Sequence, residues 1–61
     1  MKELDFIIVA IVIDKEGNVT SHTEKITSTF KVANTLMKAI GKNSTSAFLM
    51  YDGELICKVG A

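Results

Sequence analysis

The sequence predicts an α+β fold: a four-stranded antiparallel sheet with one helix on one face, in the chain order ββαββ. Three observations predict it. Leu4 to Ile13 is a run rich in isoleucine and valine, apolar residues recur at helical spacing from Phe30 to Ile40, and Asp52-Gly53 separates two short apolar runs. Residues 1–61 read as one small domain, with no repeat, low-complexity stretch or internal boundary.

The first strand, Leu4 to Ile13, has the β-branched side chains that fit a pleated surface, and it ends at Asp14-Lys15-Glu16-Gly17. An acid first and a glycine fourth predict a type I turn whose glycine takes the left-handed conformation, so the second strand returns antiparallel. Val19 to Ile26 is that strand. Its Thr, Ser, His, Glu and Lys residues blunt an edge against unwanted pairing, so it is read as an edge strand.

Phe30, Ala33, Leu36, Met37 and Ile40 then form one helical stripe. Thr27 or Ser28 is expected to cap its first amides, and Gly41 stands where a left-handed C-terminal cap belongs. Lys38 and Lys42 sit near the negative end of the helix dipole, which favours them. After a polar connection, Ser46 to Tyr51 and Glu54 to Val59 flank Asp52-Gly53, the dipeptide of a type I′ hairpin in which both central residues have positive φ. A two-residue loop sets the register Tyr51 with Glu54, Met50 with Leu55, Leu49 with Ile56 and Phe48 with Cys57. With the second strand at an edge, the spatial order 2-1-3-4 is favoured and 2-1-4-3 stays open.

Alternation places Phe6, Ile8, Ala10 and Val12 on one face of the first strand and Ile7, Val9, Ile11 and Ile13 on the other. Both faces are apolar. In the expected register, Phe48, Met50, Leu55, Cys57 and Val59 share one face of the second hairpin, and Ala47, Leu49 and Ile56 the other. A one-sided antiparallel sheet alternates apolar with polar, which this one does not. One short helix covers one face, so the second is expected to be buried in a dimer through Ile7, Val9, Ile11, Leu49 and Ile56. If the helix takes the opposite side, the uncovered set is Phe6, Ile8, Val12, Phe48 and Met50.

Bulk composition points the same way. A 61-residue chain buries only about 60% of its unfolded surface, and domains this small are reinforced by disulfides, a metal or oligomerisation. One cysteine, Cys57, forms no internal disulfide, and with the single His22 it makes no zinc spacing, so no metal or other cofactor is expected. Seven lysines and no arginine balance seven acids, so no global charge selects nucleic acid or membrane and no guanidinium forks are present. The apolar run Phe6 to Ile13 is too short for a spanning helix, which takes about 20 residues. It is bracketed by acids rather than by the flanks of a signal peptide, so it is read as a strand of a cytoplasmic protein without membrane association.

Residues that carry chemistry elsewhere have plainer readings here. His22 lies on the polar edge strand, which suits surface or cross-strand contacts. Cys57 alternates with Lys58, so the two point to opposite faces, and a buried inert thiol is expected. Asp14 with Glu16 and Asp52 with Glu54 are turn residues at opposite ends of the subunit. The serines and threonines from Thr20 to Thr29 make no nucleophile motif. Lys31, Lys38 and Lys42 share one helical face, which is a solvated outer face or a contact for an acidic partner or for phosphates.

The functional expectation is a non-catalytic protein-interaction module acting as a homodimer. An inhibitor or modulator of a larger protein, of the kind encoded by compact phage and plasmid genomes, is one form of it. Two alternatives stand beside it: nucleic-acid binding through the lysine stripe, and a small enzyme with its site at a subunit interface.

Overall fold

Residues 2–60 are described by the structure, a computed structural model. Five elements follow in order: β1 (Leu4–Ile13), β2 (Val19–Ser28), α1 (Phe30–Gly41), β3 (Ser46–Tyr51) and β4 (Glu54–Gly60). The strands form one antiparallel sheet in the order β2-β1-β3-β4, so the fold is α+β with β1 and β3 central, and the alternative order 2-1-4-3 is excluded.

Both hairpin turns follow from their residues. Gly17 has φ of +86° and its N–H donates to the Asp14 carbonyl at 3.1 Å, closing the type I turn. The Asp14 carboxylate also accepts from the backbone N–H groups of Glu16 and Asn18 and from the Asn18 side-chain amide. These bonds, the Asn18 backbone N–H foremost, hold the Asp14 carboxyl below its ordinary pKa. At the second turn Asp52 and Gly53 have φ of 52° and 78°, as a type I′ turn demands.

The helix is capped by Thr29, whose side chain accepts from the Val32 N–H, rather than by Thr27 or Ser28. Those two residues are taken by β2, which runs to Ser28 opposite Leu4. Gly41 is not a left-handed cap either. It is the last helical residue, the chain continues through right-handed Lys42, and the Asn43 and Ser44 N–H groups donate to the Ile40 and Gly41 carbonyls in a tightened last turn. Glycine is needed there for a different reason: a Cβ at position 41 would run into Cγ2 of Val59 on β4. The helix lies that close to the sheet.

The core contains Phe6, Ile8, Ala33, Met37, Ala47 and Leu49, with Leu4, Ile26, Leu36, Ile40, Cys57 and Val59 packed around it. The helix therefore takes the face that holds Ala10 and Ala47. Small side chains there, with Ala33 on the helix, allow close approach, while bulky Phe48 and Met50 lie opposite Val9 and Ile7 on the other side. At the N-terminal end of α1, Phe6 sits 5.5 Å from Tyr51 and 6.4 Å from Phe30 between ring centroids, an aromatic cluster at the end of the core.

One register differs from expectation. Tyr51 faces Glu54 and Met50 faces Leu55, but Leu49 faces Cys57 and Phe48 faces Lys58, because an irregularity between Leu49 and Met50 leaves Ile56 as an extra residue on β4. This β-bulge shifts every later residue of β4 by one position, and so moves Cys57 and Val59 beneath the helix together with Leu49 and Ala47.

β1 and β2 pair from Leu4–Ser28 to Ile13–Val19, whereas β3 reaches along β1 only from Phe6 to Ile11. Thr45 extends that seam: its N–H donates to the Ile11 carbonyl and its hydroxyl oxygen accepts from the Ile13 N–H, both at 2.8 Å. Beyond it the first hairpin overhangs as an arm, and the molecule measures 43 × 19 × 15 Å.

Candidate functional site

The face of the sheet turned away from α1 is the principal surface feature. Antiparallel partners share a face, so Ile7 and Met50, then Val9 and Phe48, stand side by side across the β1–β3 seam, followed by Ile11. Leu55 continues the row beside Met50 on β4. Among the described residues no element covers this band. Ile7, Leu55 and Ile56 are 37, 51 and 41% exposed, while Val9, Ile11, Phe48 and Met50 are half-buried. Lys25, Thr23 and Ser21 of β2 border the band on one side, and Lys58, opposite Phe48, borders it on the other. An apolar centre inside a polar rim is the usual anatomy of a protein–protein interface.

Of the residues expected on this surface, Ile7, Val9 and Ile11 lie on it and Ile56 is exposed at the bulge. Leu49 does not belong: it is fully buried beneath the helix, opposite Ile8. Phe48 and Met50 occupy the place it was assigned. Placing β3 correctly required knowing that Ala47, the small residue, goes under the helix.

The surface excess is measurable. The chain exposes 4435 Å², whereas a compact monomer of 6.6 kDa shows about 3,900 Å². Its radius of gyration, 11.8 Å, also exceeds the roughly 10.5 Å typical of this length. The bare face and the overhanging arm, with Val12, Ile13 and Val19 between 42 and 65% exposed, account for the sense of both departures.

The titratable candidates do not converge. His22 is on β2 and Cys57 on β4, the two opposite edges of the sheet. His22 pairs with Ala10 and lines a recess of about 310 Å³ with Val12, Thr20, Ile40, Asn43 and Ser44, beside the C-terminal end of α1. Cys57 is a free thiol, half-buried against the core. No group of three or more His, Cys, Asp or Glu side chains is placed to hold a metal ion among the described residues. No helix among them is long and apolar enough to cross a membrane.

Lys31, Lys38 and Lys42 are all exposed on the helix layer. Beside them Val32, Leu36 and Ala39, with Lys31 and Thr35, line a shallow groove of about 380 Å³ on the outer side of α1. Compared with protein-family models, curated proteins and solved structures, the chain matches none.

Proposed function

We propose that this chain is a non-catalytic protein-interaction module that self-associates through its bare sheet face, forming a homodimer packed sheet to sheet. One observation carries the reading: Ile7, Val9, Ile11, Phe48, Met50 and Leu55 form a continuous apolar band over three strands, with no covering element among the described residues. Patches of that kind on monomers mark binding sites. A two-fold interface needs a surface complementary to itself, and a neutral apolar band bordered by polar rows satisfies that without setting like charges against each other at its centre. Burial there contributes about 25 cal/mol per Å², less the cost of association.

Sedimentation of the wild type beside a Val9→Lys, Phe48→Lys variant tests it. Both substitutions lie on the outer face, so the variant keeps its far-ultraviolet circular dichroism. The wild type is expected to sediment as a dimer at micromolar concentration and the variant as a monomer. A wild type that stays monomeric into the millimolar range, or a variant that dimerises equally well, defeats the proposal.

A further inference from the structure

The zero net charge of the chain conceals a separation. Between Glu24 and Asp52 there are four lysines, Lys25, Lys31, Lys38 and Lys42, and no acid; all seven acids lie at or beyond the ends of that segment. The helix layer is thus purely cationic. It is also apolar on more than its buried side. Ala33 and Met37 face the core and half-buried Leu36 packs at its margin, while Val32 and Ala39, at offsets of four and three about Leu36, extend an apolar strip from there onto the exposed flank of the helix. Val32 is 52% exposed and Ala39 is exposed. Lys31, Thr35, Lys38 and Lys42 follow the same spacing one position earlier, so the lysines run alongside the apolar groove for the length of the helix. A helix that contacts its own sheet on one stripe needs no second apolar strip for folding.

We propose that this outer face of α1 is a second docking surface, which takes an acidic amphipathic segment of another protein. Apolar side chains of that segment seat on Val32, Leu36 and Ala39, and its carboxylates meet Lys31, Lys38 and Lys42. Charge complementarity selects the occupant. A second copy of the same helix offers the lysines no carboxylate, because the segment from Lys25 to Tyr51 contains no acid. A nucleic acid would leave the groove empty, the chain has no arginine, and Phe30, the aromatic of α1, is paired with the Phe6 ring rather than set among the lysines as a base-stacking platform. A membrane surface asks for larger side chains than valine and alanine. This surface is separate from the sheet face and does not depend on dimerisation.

The test is amide chemical-shift mapping on the full chain at low salt. The probe is a synthetic helical peptide two heptads long, with leucines along one face and glutamates elsewhere, alongside the same peptide with glutamine for glutamate. Shifts confined to residues 31–42 are expected with the glutamate peptide, and binding roughly tenfold weaker with the glutamine peptide or at high salt. Lys31→Glu, Lys38→Glu and Lys42→Glu together are expected to abolish it, as is Val32→Ser alone. Should the charge reversal unsettle the helix end, the corresponding three Lys→Gln changes serve instead. The proposal is overturned by no shifts at millimolar peptide, by equal binding of the two peptides, or by shifts on the sheet face. It is equally overturned if phosphatidylserine vesicles or a DNA duplex perturb the helix more strongly than the peptide does.

Discussion

Replacing Gly41 with alanine sets two effects of opposite sign against each other. Alanine is the better helix former, worth up to about 1 kcal/mol in a helix interior and less in a last turn, so about 0.5 kcal/mol of gain is the fair figure here. Against it, the new methyl meets Cγ2 of Val59, a branched side chain with little freedom to turn aside. Overpacking of this kind costs about 1–3 kcal/mol. The net expectation is a loss of about 1 kcal/mol, a fall of up to about 8 °C in Tm for so small a domain. Val59→Ala alone removes two methyl groups from a half-buried site and costs about 1 kcal/mol. In that background the obstruction is gone, and Gly41→Ala is expected to stabilise by a few tenths of a kcal/mol. The reversal of sign is what matters. Urea unfolding of the four proteins at one fixed concentration measures it as a double-mutant cycle. A left-handed cap would instead make Gly41→Ala equally harmful with either residue at 59, and that result would refute the close-approach argument.

Gly60 makes the complementary case: its φ is +92° and a Cβ would strike the Thr45 carbonyl, so Gly60→Ala is expected to cost about 1–3 kcal/mol that no side-chain truncation restores, read by urea unfolding. Leu49→Ala is expected to lose about 2–5 kcal/mol, whereas Ile7→Thr on the bare face loses less than about 1 kcal/mol, both measured in dilute solution; similar costs would mean that Leu49 is not core. Because the folded pKa of Asp14 is depressed, its contribution to stability is complete above the ordinary carboxylate pKa and is lost as pH falls through the lower folded value. The stability difference between wild type and Asp14→Ala is therefore expected to shrink in acid, and a difference that stays constant there would contradict the turn assignment.

Elements marked by local chemistry were legible from the residues alone. β1, β3 and the two turns follow from Ile/Val content, Asp14 to Gly17 and Asp52-Gly53, and the polarity of β2 put it at an edge, which favoured the order 2-1-3-4 without excluding 2-1-4-3. Orientation was less legible where neighbouring residues are both apolar. In Ala47-Phe48-Leu49-Met50 either parity looks acceptable, and only the room the helix leaves, enough for alanine and too little for phenylalanine, decides it. The bulge at Ile56 likewise has no local signature, since Leu55, Ile56 and Cys57 are all apolar; what selects it is that Cys57 and Val59 end beneath α1. Gly41 was misread because glycine after a helix suits a left-handed turn just as well as a close crossing, and Val59 is remote in sequence. For the sheet surface, three of the five expected residues were placed by the alternation of β1, and Leu49 was lost to the parity of β3.

The position of α1 has a geometric consequence. With α1 on only one side of the sheet, any pairing through the opposite side sends the two helices to opposite poles of the assembly. Such a particle would be two-ended: each pole offers one cationic groove, and neither can reach the other's target. It would join two separate partner molecules rather than grip adjacent sites on one, so the gain from doubling would appear as bridging and clustering and not as tighter hold on a single chain.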